Sequence, residues 1–110
     1  MNLTVAPDKH RVVITLEESR LDAAIATRFK DRMREIVTKG EKPILLDMHC
    51  VDFMDSSGLG AMIAVHKAMP EGVALVLKGL TPNVDRVFRL TRMDTVFTIT
   101  PPADHAREAG

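Results

Sequence analysis

Apolar and polar positions change their period several times along the chain. Leu3 to Val5 reads as a short strand, Pro7-Asp8-Lys9 carries turn chemistry, and Arg11 to Leu16 alternates with Val12, Ile14 and Leu16 on one face. Two paired strands are therefore expected to open the fold. From Asp22 the period becomes helical: Ile25, Phe29, Met33, Ile36 and Val37 share one face, while Arg28, Lys30, Arg32, Arg34 and Glu35 occupy the others. This amphipathic helix is predicted to end near Gly40. Glu35 and Lys39 stand four apart in the favourable order, a pair worth ~0.2–0.5 kcal/mol.

Ile44-Leu45-Leu46 and Val73-Ala74-Leu75-Val76-Leu77 are nearly continuous apolar runs, the pattern of strands buried in the middle of a sheet. The helix predicted between them directs Leu59, Met62, Ile63 and His66 to the core and stops before Pro70. Strand, helix, strand in that order implies a right-handed parallel crossover. Thr81-Pro82 then reads as N-cap and first helical residue of a third helix, with Val84, Val87, Phe88 and Thr91 on one side, and Val96 to Ile99 as a last strand. The predicted order is ββαβαβαβ: a single α/β domain over residues 1–102, with a mixed, mostly parallel sheet and flanking helices. Ala103 to Gly110 holds no apolar residue larger than Ala and is expected to be a mobile tail.

Composition narrows the function classes. A chain of 110 residues has room for one core, and 45% apolar with 27% charged residues is ordinary for a folded module. Basic and acidic residues number 15 each, so no net field draws the chain to a phosphate backbone, and 4% aromatic residues leave few rings for stacking bases. A nucleic-acid partner is not expected. The lone Cys50 cannot close an intramolecular disulfide, Asp8 and Lys9 interrupt any signal-peptide core, and no apolar run approaches membrane-spanning length. A cytoplasmic chain with no membrane association is expected.

The segment that stands out is Val51 to Gly60, VDFMDSSGLG, at the junction of a central strand and the second helix. Such a junction gathers free backbone N–H groups and the positive helix end, which favour an anion by roughly 0.3–1 kcal/mol when exposed. Two consecutive hydroxyls stand there, and Gly58 removes a Cβ that would crowd the backbone of Ser57. From the residues alone, Asp55, Ser56 or Ser57 equally serves as a helix cap. Other chemistry finds less support. A serine-hydrolase elbow needs G-x-S-x-G, and Asp55-Ser56-Ser57-Gly58-Leu59 lacks the first glycine. Gly58-Leu59-Gly60 begins like a dinucleotide fingerprint but Ile63 holds the last glycine position, and no phosphate-cradling P-loop occurs, so no cofactor is expected. Asp47, His49, Cys50 and Asp52 cluster in sequence, yet strand alternation would separate neighbours and no zinc spacing is present, so no metal is expected. Cys50 is expected to be a small buried hydrophobe and His66 a helix-edge residue.

Phe53-Met54-Asp55-Ser56-Ser57-Gly58-Leu59-Gly60 resembles the signature of the STAS family, specifically the bacterial anti-sigma factor antagonists. Leu21-Asp22-Ala23 resembles the family's Leu-Asp-Ala before the first helix, and Gly79 to Thr91 resembles the segment leading to its last strand. The resemblance implies a non-enzymatic STAS domain that binds an anti-sigma factor with serine kinase activity, which brings Mg-ATP. Unphosphorylated, it frees the sigma factor; the kinase phosphorylates the second serine of the motif and a serine phosphatase restores it. Ser57 matches that phosphoacceptor, with Asp22, Asp55, Ser56 and Gly58 supporting the site and Phe53 and Met54 offering an apolar partner contact on the same face. Two departures concern loop shape: Ser19-Arg20 stand where a glycine turn is expected, and Arg92 replaces a glycine between the third helix and the last strand. Two other readings stay open. One is a STAS scaffold subunit of a transport or stress-signalling assembly, in which the serines merely cap; the other is a small serine hydrolase. A homo-oligomer through a sheet edge also stays open.

Overall fold

The computed structural model describes residues 1–101, so the predicted mobile tail at 103–110 lies outside the described residues. In chain order the elements are β1 (Leu3–Pro7), β2 (Val12–Leu16), β3 (Arg20–Leu21), α1 (Ala26–Lys39), β4 (Ile44–Asp47), β5 (Phe53–Met54), α2 (Ser56–Ala68), β6 (Leu75–Lys78), α3 (Pro82–Leu90), a 3-10 turn at Met93–Thr95, and β7 (Thr98–Ile99). The main sheet runs β1-β2-β4-β6-β7, with β1 antiparallel to β2 and every other pair parallel. This is the predicted α/β order with one addition, a separate two-stranded parallel sheet of β3 and β5. Strands of two residues are too short to leave a period in the sequence.

The sheet turns one face to the helices. Ile14, Leu16, Ile44, Leu46, Leu75 and Leu77 point that way and are buried, meeting Phe29, Met33 and Val37 of α1 and Met62 and Val65 of α2 in one core. Leu45 and Val76, on the other face, are only half-buried. The continuous apolar runs therefore do not mark strands covered on both sides, as the sequence suggested. β6 also starts later than expected, because Gly72 is left-handed (φ 81°) and the Val73 amide donates to the Pro70 carbonyl at 3.1 Å. The amides of Val96 and Phe97 both donate to the Met93 carbonyl, holding this stretch in a turn and shortening β7 to two residues. Phe97 is thereby driven inward, edge-on to Phe88 at 5.3 Å and tilted against the His66 ring at 5.0 Å.

Helix boundaries move for identifiable reasons. Asp22 does not open α1; its side chain accepts the Ala24 amide at 3.1 Å and its carbonyl accepts those of Ile25 and Ala26, so a turn fills the four residues before the helix. Glu35 approaches Arg32 at 3.5 Å, an i, i+3 pair, instead of the expected Lys39. Thr81 is the N-cap of α3 as predicted, yet its hydroxyl donates to the Val51 carbonyl at 2.6 Å, tying α3 to the loop after β4 instead of capping.

The buried face of α2 is rotated from the expected one: Gly58, Ala61, Met62 and Val65 face the core, with Leu59, Ile63 and His66 only half-buried. Small residues win this face because α2 lies close to its neighbours. A Cβ on Gly58 would overlap the Leu21 carbonyl oxygen and lie 2.9 Å from the Leu21 carbonyl carbon, so Gly58 is required for the approach of α2 to β3. This helix–strand packing role had no signal in the sequence. At Gly60, one turn along, a Cβ would meet nothing within 4 Å. Arg92 is the lone non-glycine residue with positive φ among the described residues (φ 63°), at the position where the family resemblance places glycine.

This backbone geometry sets the sign of three substitutions. Gly58→Ala should lower unfolding free energy by about 1–3 kcal/mol or more, because a backbone carbonyl cannot yield cheaply, whereas Gly60→Ala should raise it by about 0.5–1 kcal/mol through helix propensity. Arg92→Gly should stabilise by about 0.5–1 kcal/mol, the relief of left-handed strain less the added unfolded-state entropy. Urea midpoints of the three variants check all three signs.

Candidate functional site

The β3–β5 pair assembles the site. Arg20 lies opposite Phe53 and Leu21 opposite Met54, so side-chain alternation sends the first pair outward and the second inward. Phe53 is 40% exposed, with the Arg20 guanidinium 4.1 Å from its ring centroid. Met54 is 4% exposed and Leu21 fully buried. The apolar surface expected from Phe53 and Met54 together thus consists of Phe53 alone, and Met54 is a core residue that anchors the loop.

Pairing in this register brings two loops, distant in sequence, to the first turn of α2. The Asp55 amide donates to the Leu21 carbonyl at 3.4 Å. Asp55 is the N-cap of α2: its Oδ1 accepts the Gly58 amide at 2.9 Å, while its Oδ2 accepts the Ala23 amide at 3.3 Å. One carboxylate therefore caps α2 and also ties down the turn that leads into α1. The adjacent Asp22 accepts from Arg20 Nε at 3.0 Å and from the Ala24 amide. The Arg20 hydrogen bond, aided by that amide and opposed by desolvation, holds the Asp22 carboxyl below its ordinary range. Arg20, noted in the sequence only as a departure from a glycine turn, thus links Phe53 to Asp22.

Ser56 and Ser57 are the first two residues of α2 and both are exposed. The cap is supplied by Asp55, which leaves the serine hydroxyls free of that duty. Ser57 opens onto a cleft of about 280 Å³ between α1 and α2, whose lining includes Thr27, Lys30, Gly60 and Ala64. Thr27 and Lys30 had no signal in the sequence beyond their place on the polar side of α1. Among the described residues no histidine lines this cleft. A cavity of about 420 Å³ between α3 and β7, lined among others by Leu80, Arg89, Asp94 and Ile99, contains none of the predicted site residues.

The neighbours His49 and Cys50, expected on opposite faces of a strand, are brought together beside Asp47. β4 ends at Asp47, and beyond it His49 Nδ1 lies 2.9 Å from Asp47 Oδ1 and Cys50 Sγ 3.4 Å from His49 Nε2. Cys50 is half-buried and not the fully buried hydrophobe expected. No group of three or more side chains suited to a metal ion occurs among the described residues, and no helix among them is long and apolar enough to cross a membrane.

Residues 3–108 match the STAS domain. The chain belongs to the STAS family. Over 80 residues it is 29% identical to the anti-sigma-B factor antagonist of Listeria monocytogenes, covering 72% of this chain and 70% of that protein. An anti-sigma factor antagonist from Mycobacterium paratuberculosis superposes with a TM-score of 0.81 at 21% identity, over 98% of this chain and 92% of that one. The Bacillus cell fate determinant SpoIIAA in its phosphorylated form shares the fold at a TM-score of 0.66 and 17% identity, over 99% and 100% of the two chains. The STAS fold therefore holds with a Ser-Ser-Gly helix start in this chain.

The carboxylates of this STAS domain yield separable predictions. Asp55→Ala should cost about 1 kcal/mol or more, because it loses both the cap and the Ala23 tie, whereas Asp55→Asn should cost less, because its amide oxygen still caps Gly58 although its NH2 cannot accept from the Ala23 amide. For Asp22 the folded-state carboxyl is the stronger acid, so its contribution is present above the unfolded range near 3.8 and is lost as pH falls through its depressed folded value. Asp22→Asn should consequently be less stable than wild type at pH 6, with the two converging in strong acid. Thermal melts from pH 7 to 2 measure the convergence.

Proposed function

We propose that the chain is a cytoplasmic anti-sigma factor antagonist and that phosphorylation of Ser57 switches it. The unphosphorylated form binds an anti-sigma factor that is also a serine kinase, releasing the sigma factor. The kinase supplies Mg-ATP: Ser57 Oγ gains a bond to the γ-phosphorus as ADP leaves, and the hydroxyl proton passes to a base on the kinase. A serine phosphatase reverses the step. Asp22 and Asp55 fix the loop, and Phe53 with its Arg20 partner provides the adjoining contact surface.

The observation that carries this reading is the division of labour at the start of α2. Asp55 caps the helix, so two exposed hydroxyls at its first turn are not needed to hold it. The relatives named anti-sigma factor antagonists support the choice of partner. A phosphate on Ser57 adds about −1.5 to −2 charges beside two carboxylates, which changes the sign of a docking surface without requiring a change of fold.

Calorimetric affinities for one kinase partner test the proposal. Ser57→Ala should bind like wild type and stay bound in the presence of ATP, while Ser57→Asp should bind at least about tenfold more weakly, or ~1.4 kcal/mol. Enzymatically phosphorylated protein should lose more than the Asp variant, which carries less charge. Fragment mass spectra should place a single phosphate on Ser57. Equal affinities of phosphorylated and unphosphorylated protein would overturn the switch and leave a scaffold.

A further inference from the structure

We propose that Lys30 is the intramolecular counter-ion of phosphorylated Ser57, and that the cleft between α1 and α2 is where the phosphate settles. The inference rests on Ser57 being the acceptor. Ser57 and Lys30 line the same cleft of about 280 Å³, and among the described residues Lys30 is the one cation in its lining. Among the described residues Lys30 enters no ion pair, whereas Arg20, on the outward side, is committed to Asp22 and to the Phe53 ring.

Direction supports the pairing. α1 and α2 each connect neighbouring parallel strands, so both start from the same end of the sheet. Side chains on a helix lean toward its N-terminus, which for Lys30 is the end at which Ser57 stands. Gly60 keeps the α2 wall of the cleft low, since even a Cβ there would touch nothing within 4 Å. Thr27, one turn before Lys30, lines the cleft and adds a hydroxyl donor.

Charge sorts the two sides. On one side are Asp55, its oxygens held by two amides, and Asp22, neither of which lines the cleft. A phosphate of about −1.5 to −2 charges is repelled from that side and drawn into the cleft, where the ammonium and the first-turn amides of α2 oppose it. The phosphate then lies across two helices, and Lys30 sets how much of its charge a partner meets.

The test installs phosphoserine at position 57 during translation, so no kinase is involved, and follows the second ionisation of the phosphate by ³¹P NMR titration. Lys30→Gln should raise that ionisation by about 0.3–0.6 pH units relative to the phosphorylated wild type, a two- to fourfold change in acidity constant. Lys30→Arg should restore the wild-type value, and Lys39→Gln, at the far end of α1, should leave it unchanged. The same ionisation in Lys30→Gln as in wild type, or an equal shift in Lys39→Gln, overturns the inference. Failure of every kinase to modify Ser57 would overturn the functional proposal instead, and would be seen in a separate experiment.

Discussion

The contact on which the site depends is the approach of the Gly58 backbone to the Leu21 carbonyl. No side chain fits between α2 and β3 at that point. The approach brings the Asp55 carboxylate within reach of the Ala23 amide, thereby setting the spacing between Asp22 and the start of α2. Loosening this contact would separate the two acidic loops even if every charged side chain were retained. A glycine, with no chemistry of its own, therefore controls the geometry of the groups that have some.

Around that contact the local charges are already matched. Asp55 is occupied by two amides and Asp22 by Arg20 and an amide, so the carboxylates organise backbone more than they present charge. A hydroxyl beside them is neutral and compatible with a packed interface. The same position carrying two negative charges is not, and the positive helix end relieves only part of the repulsion. In the proposed switch, this asymmetry would let one covalent group act at the surface while the core of Phe29, Met33, Leu46 and Met62 remains untouched.

The main sheet and its three helices were legible because each has a period long enough to be counted. Ile25, Phe29, Met33 and Val37 specify the α1 face, and Thr81-Pro82 specifies the start of α3. The Asp-Ser-Ser-Gly segment was legible as a helix start, and the family resemblance assigned its residues. What was not legible depended on tertiary proximity. The β3–β5 pairing joins residues 33 positions apart through strands too short to show alternation, and it alone places Phe53 outside and Met54 inside. Hydropathy also misplaced the α2 face, because it favours Leu59 and Ile63 where the close approach selects Gly58 and Ala61. Lys30 looked like one of many solvated charges on α1 until the packing of the two helices set it on the cleft with Ser57.

The shortness of β3 and β5 has a kinetic side. A parallel pair of two residues has no independent stability in water, so it persists only while α2 is docked against it. The Ala23 and Asp55 amides, each bonded across this seam, should therefore exchange with solvent together, in a single opening event, and not by independent fraying of two surface loops. Their common exchange rate would measure how often the whole corner of the domain lifts, from the turn before α1 to the start of α2.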